Sequence, residues 1–229
     1  MKVIKDIRIY RSRIENVPGN SLPESFYNLE LCRIAERVAW KLRESGFVMG
    51  DYHHLYINLT TCKVEGKIRP SARGRDPYFP WYRYYDVEVS QELFDSLETH
   101  GCIEQVVGLL EQVLNVFATN EFNTTRIHDC INEAVTKGEK MTAVFKEKTS
   151  SKNKAIVYLR VLDNGRYFPL LRVYDVNDNV ILERDLPETN CLDPYGEIQL
   201  SSRKVTIKPR KNCFAVDLEP MTFELVLSI

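Results

Sequence analysis

At Gly138 the texture of this chain changes, and no other feature constrains its fold as strongly. Upstream, apolar residues recur largely at helical spacing. Downstream, from Lys140 to Ile229, almost every segment alternates like a strand and ends in turn residues, with no helical run between. A length of 229 residues accommodates one large domain or two modest ones. The break selects two: an α+β domain over residues 1–138 and a β-rich domain, an antiparallel sheet or sandwich, over residues 139–229.

In the first domain a short strand around Ile7 to Tyr10 precedes the clearest helix signal, at about residues 24–45. Tyr27, Leu31, Ile34, Val38 and Leu42 draw one apolar stripe, while Glu30, Arg33, Arg37, Lys41 and Glu44 sit off it and Gly46 stops it. From His54 to Thr60 the period becomes two: Leu55, Ile57 and Leu59 point one way, His54, Tyr56, Asn58 and Thr60 the other. A second alternating run covers residues 84–89. Ser90 then caps a short helix, a longer one spans about residues 102–118, and another starts near Asn123 or Thr124 and stops at Gly138. The expected architecture is a set of helices on one face of a small antiparallel sheet.

Strands are expected in the second domain at 141–146, 155–162, 167–176, 180–186, 205–208, 213–218 and 223–227. Asp163-Asn164-Gly165 predicts a type I′ hairpin turn, because Asn-Gly supplies two positive φ angles, and Asn177-Asp178-Asn179 is a second turn site.

A composition of 44% apolar and 28% charged residues closes a core and excludes a disordered or collagenous chain. A formal charge of −1 leaves no global field to hold nucleic acid or an acidic membrane. The leading MKVIKDIRIYRSRIE lacks the apolar core of a secretory signal, and no apolar run nears the roughly 20 residues of a membrane span, so a cytoplasmic protein is expected. Six cysteines without a C-x-x-C pair predict reduced, mostly buried thiols. Nucleotide-binding, hydrolase and zinc motifs do not occur. His53 and His54, adjacent in an extended segment, face opposite ways and make no ligand pair. Asp86 and Glu88 share a strand face and read as solvated. No catalytic residue, metal or cofactor is expected.

Residues 63–86, KVEGKIRPSARGRDPYFPWYRYYD, are the informative stretch. Between Lys63 and Arg83 six basic residues oppose two acids, a local balance of +4, whereas residues 84–122 hold eight acids and no Lys or Arg, a balance of −8. Arg69, Arg73, Arg75 and Arg83 lie among Tyr78, Trp81 and Tyr82, and aromatics with arginine are the side chains that dominate protein–protein hot spots. The eighteen residues from Val64 to Trp81 exceed the length of an ordinary connection, roughly 12–15 residues, which points to function. If the two strands pair, His54, Tyr56, Asn58, Tyr84, Asp86 and Glu88 join one polar-aromatic surface. The expected partner-binding set is His54, Tyr56, Arg69, Arg73, Arg75, Tyr78, Trp81, Tyr82, Arg83, Tyr84, Asp86 and Glu88. Nucleic acid is disfavoured by the adjacent acidic block.

The strings DYHHLYINLT, from Asp51, and PWYRYYD, from Pro80, resemble the immunity proteins of bacterial polymorphic toxin systems, immunity protein family thirty-nine, a likeness that covers chiefly residues 25–118. It implies a cytoplasmic chain that binds a cognate toxin domain stoichiometrically and performs no chemistry. The acidic helices suit a toxin with a basic cleft, and the arginines suit an acidic one. Two rival expectations stand beside it: a hydrolase using His54, Asp86 and Glu88 in a concave pocket, and an adaptor working through the β-rich domain.

Overall fold

The computed structural model describes residues 2–12, 28–71 and 77–225. The chain is α+β and divides into two compact units, Met1–Gly138 and Glu139–Ile229.

In the first unit β1 (Asp6–Ser12), α1 (Leu29–Glu44) and β2 (His54–Thr60) make a β-α-β arrangement, with β1 and β2 parallel from Asp6 opposite His54 to Ser12 opposite Thr60. β2 is also parallel to β4 (Tyr82–Glu88), and β3 (Ile68–Pro70) pairs antiparallel with β4, giving the order β1-β2-β4-β3. The sheet is therefore mixed and mainly parallel, not antiparallel as expected. Its physical reason is connection length: each parallel pair is joined by a long crossover, which a tight hairpin turn does not supply. The connection after β2 also carries a strand of its own. Pro70 suits that strand because a proline, which has no N–H to donate, is tolerated at a sheet edge.

Asn28 caps α1: its Oδ1 accepts from the Leu31 N–H at 3.1 Å, and its Nδ2 donates to the Leu97 carbonyl at 2.9 Å and the Thr99 carbonyl at 3.3 Å. That cap starts the helix later than the expected residue 24; residues 24–27, Tyr27 among them, lie outside the described residues. Ala35 and Ala39 widen the buried stripe, and Arg37, expected off it, is buried. Ser90 and Asn123 accept from the N–H groups of Leu93 and Arg126, opening α2 (Gln91–Ser96) and α4 (Thr124–Lys137) as expected, with α3 (Ile103–Asn115) between them. α1 packs on β1, α3 and α4. On one sheet face Leu55, Ile57, Leu59, Tyr85 and Val87 are buried, with Tyr85 edge-on to Phe117 at 5.5 Å. Each buried aliphatic side chain there contributes about 1.5–3 kcal/mol.

In the second unit β5 (Ala143–Thr149), β6 (Lys154–Leu159), β7 (Leu170–Tyr174) and β8 (Val180–Asp185) form an antiparallel meander, and β9 (Glu197–Leu200), β10 (Lys204–Lys208) and β11 (Met221–Glu224) a second sheet ordered β11-β10-β9. Val157 and Leu171 from the first sheet and Val205 and Ile207 from the second share one core. Tyr195 joins that core and donates its hydroxyl to the Pro187 carbonyl at 2.6 Å.

Three local expectations give way. Residues 213–218 form two successive turns instead of a strand, with Ala215 N donating to Asn212 O and Leu218 N to Ala215 O, both at 3.3 Å. The Asn212 side chain decides it, accepting from Phe214 N at 3.2 Å and donating to Asp193 Oδ1 at 2.9 Å, a local alternative to the strand ladder. The 163–165 hairpin is closed by Leu162 N on Arg166 O at 2.9 Å, and only Gly165 takes a positive φ, so the loop has three residues and is not type I′. The six cysteines are free thiols, but only Cys102 and Cys130 are buried; Cys32, Cys191 and Cys213 are exposed.

Candidate functional site

The parallel register lays the polar face of the first sheet out in rungs. Asp6, His54 and Tyr82 form the first; Arg8, Tyr56 and Tyr84 the second; Tyr10, Asn58, Asp86 and Arg69 the third; Ser12, Thr60 and Glu88 the fourth. Strand alternation puts each set on the same side of the sheet. This face is not the solvated surface that alternation alone suggests. Tyr56 is 2% exposed, Tyr84 8% and Asp86 6%. Asn58 Nδ2 donates to Asp86 Oδ1 at 3.0 Å, while Asn58 Oδ1 and Asp86 Oδ2 are buried and accept no hydrogen bond among the described residues. Glu88 accepts from Val64 N at 2.9 Å, with Lys63 Nζ at 3.4 Å; the backbone bond first, and then Lys63, hold its carboxyl below the usual range. Glu88 therefore pins the chain that leaves β2.

A continuous series of rings runs across this face and out of it. Tyr10 meets Tyr56 edge-on at 5.6 Å, Tyr56 meets Tyr84 at 5.2 Å and Tyr82 at 4.8 Å, and Tyr82 stacks flat on Phe79 at 4.9 Å with an interplanar angle of 5°. Burial, followed by the hydrogen bond to Tyr82, drives the Tyr56 phenol well above its usual pKa. Exposure rises toward the far end, where Phe79 is 44% and Tyr78 78% exposed. Trp81 sits beside them, edge-on to Phe79 at 6.1 Å, with Lys2 over its ring at 5.7 Å.

His53 and His54 converge instead of diverging. His53 precedes β2, so alternation does not yet govern it, and the backbone N–H groups of both residues donate to the Trp81 carbonyl, at 3.1 and 3.4 Å. Their Nδ1 atoms lie 2.5 Å apart, and His53 stacks on Trp81 at 5.5 Å. Such a contact is attractive only when one nitrogen carries a proton and the other a lone pair. Burial first, then His54, Lys5 and Lys2, lower His53 to about 4, and burial also lowers His54. Among the described residues no three His, Cys, Asp or Glu side chains are grouped to hold a metal ion.

Of the expected binding residues, the structure brings His54, Tyr56, Arg69, Tyr82, Tyr84, Asp86 and Glu88 onto one face, with Trp81 and Tyr78 at its end. Arg83 lies on the opposite face, its guanidinium over Tyr52 at 5.1 Å and Tyr85 at 5.6 Å. Arg73 and Arg75 lie outside the described residues. Sequence reasoning missed His53, Phe79 and the contribution of β1, namely Asp6, Arg8 and Tyr10. The aromatic run after Pro77 was a signal for Phe79; nothing local announced that β1 lies beside β2.

Among the described residues no helix is long and apolar enough to cross a membrane. No family model matches the chain, and neither does any curated protein or any solved structure.

Proposed function

We propose that this protein works by binding another protein through the aromatic edge of Tyr78, Phe79, Trp81 and Tyr82, and that the partner is a bacterial toxin domain which it holds inactive in the cytoplasm. The observation that carries the reading is the graded series of rings, exposed at Tyr78 and Phe79 and anchored by buried Tyr56 and Tyr84. Rings already held in place lose little freedom on association, and aromatic anchors with a charged rim dominate binding energy. Lys2 over Trp81 supplies charge at that rim. The toxin as partner rests on the likeness of DYHHLYINLT and PWYRYYD to immunity proteins. Inhibition is stoichiometric in this reading. Of the carboxylates that a hydrolase would use, Asp86 is buried with one oxygen accepting from Asn58, and Glu88 accepts from Val64 and Lys63.

The test is coexpression with the product of the gene directly upstream, scored by growth rescue and by calorimetric titration. A one-to-one complex with rescue is expected, weakened on the order of 30-fold or more by Trp81→Ala, the effect of losing a hot-spot side chain worth about 2 kcal/mol. Absence of both complex and rescue sinks the toxin reading.

A further inference from the structure

The second unit holds a cleft that the aromatic edge does not involve. It measures about 520 Å³ and lies between the start of β9 and the turns that follow β10, lined by Lys208, Arg210 and Lys211 together with Ala215 and Leu218. Gly196 shapes it. A Cβ at that position would stand 2.4 Å from the backbone of Pro209 and Arg210, so only a glycine lets that segment cross so closely. The charge of the lining is unbalanced. Glu197 is its one acid; Arg210 reaches Asp193 only at 3.6 Å, and Lys208 and Lys211 have no ion-pair partner among the described residues. Lys146, on β5, donates its ammonium to the Gly196 carbonyl, and burial, then Arg210, lower its pKa. On the adjoining turns Phe214 is 80% and Val216 77% exposed.

We propose that this cleft docks an acidic segment of a partner protein, its carboxylates against Lys208, Arg210 and Lys211 and an apolar side chain against Ala215 and Leu218, with Phe214 and Val216 at the rim. Charge complementarity selects an acidic occupant. The backbone selects a peptide over a free phosphate, because phosphate sites gather converging N–H groups. Here the N–H groups of Gly196, Arg210, Phe214, Ala215 and Leu218 are all donated within the chain. What remains is side-chain charge beside apolar Ala215 and Leu218, which suits a segment alternating acids with apolar residues.

The test uses the full chain and a labelled peptide alternating glutamate with leucine, read by fluorescence anisotropy beside a counterpart with lysine for glutamate. Saturable binding of the acidic peptide alone is expected, weakened by salt, about tenfold by Lys208→Glu with Lys211→Glu, and about threefold by Phe214→Ser. Trp81→Ala leaves it unchanged, which separates this site from the aromatic edge. Lys211 and Phe214 are exposed, so Lys211→Glu alone and Phe214→Ser keep the fold and keep the test decisive. Failure of the acidic peptide to bind, or binding indifferent to charge reversal, overturns the proposal. Displacement by inorganic phosphate also overturns it, in favour of a simple anion site. So does sedimentation with phosphatidylserine vesicles in place of peptide binding, which marks a membrane-facing turn.

Discussion

Two oxygens without a donor among the described residues sit on the third rung of the first sheet, Asn58 Oδ1 and Asp86 Oδ2. A buried acceptor left unsatisfied costs about 1–3 kcal/mol, whereas removing both partners of a buried polar pair is often nearly neutral. Asp86→Leu alone strands the Asn58 amide and should lower stability by about 1–3 kcal/mol in urea denaturation. Asn58→Leu combined with Asp86→Leu should recover most of that loss; a double variant as weak as the sum of the singles would show that the pair is net stabilising. The histidine pair makes a pH-dependent contribution. His53 titrates near 4 in the folded chain against an ordinary 6.5, so the unfolded chain binds the extra proton between those values. Its contribution is complete above about pH 6.5 and is lost as the pH falls toward 4. Urea midpoints measured across that window should fall more steeply in the parent than in His53→Asn, and parallel curves would remove His53 as the cause.

Helix starts and strand pairings differ in how far their causes lie along the chain. Asn28 both caps α1 and donates to the Leu97 and Thr99 carbonyls. Asn28→Ala should cost about 2 kcal/mol by thermal denaturation, a lost cap plus the loss of the amide donor to the Leu97 and Thr99 carbonyls, which keep the weak Cys102 thiol. Asn28→Asp, which keeps the cap and loses the donor, should fall between. The caps at Ser90 and Asn123 were legible because capping is local, a side-chain oxygen meeting an N–H three residues on. Asn28 competed with an apolar stripe that ran past it toward Tyr27, and periodicity alone carried the helix too far. Parallel pairing was not legible. Leu55, Ile57 and Leu59 alternate identically whichever way the neighbouring strand runs, and only the crossovers set the direction. Alternation likewise placed Tyr56, Tyr84 and Asp86 on one face correctly, yet it says nothing about whether that face is covered. At 213–218 an alternating pattern was overridden by one side chain, that of Asn212.

At the scale of the whole molecule, Trp40 and Trp81, the chain's two tryptophans, both lie in the unit Met1–Gly138. Indole fluorescence therefore reports that unit alone, while far-ultraviolet circular dichroism reports both. Urea curves from the two probes should not coincide, since each unit has its own core; superimposable curves would mean that the halves unfold as one. Among the described residues no sheet takes strands from both units. The βαβ arrangement and its helices are complete once residue 138 has been added, whereas the core of the second unit includes Leu225 and waits for that residue. At roughly 5–20 residues per second a ribosome needs on the order of 5–20 seconds to make the intervening stretch. For that interval the aromatic edge can already be assembled on a nascent chain whose second core is still unmade, so the order of synthesis separates the two units in time as their sheets separate them in structure.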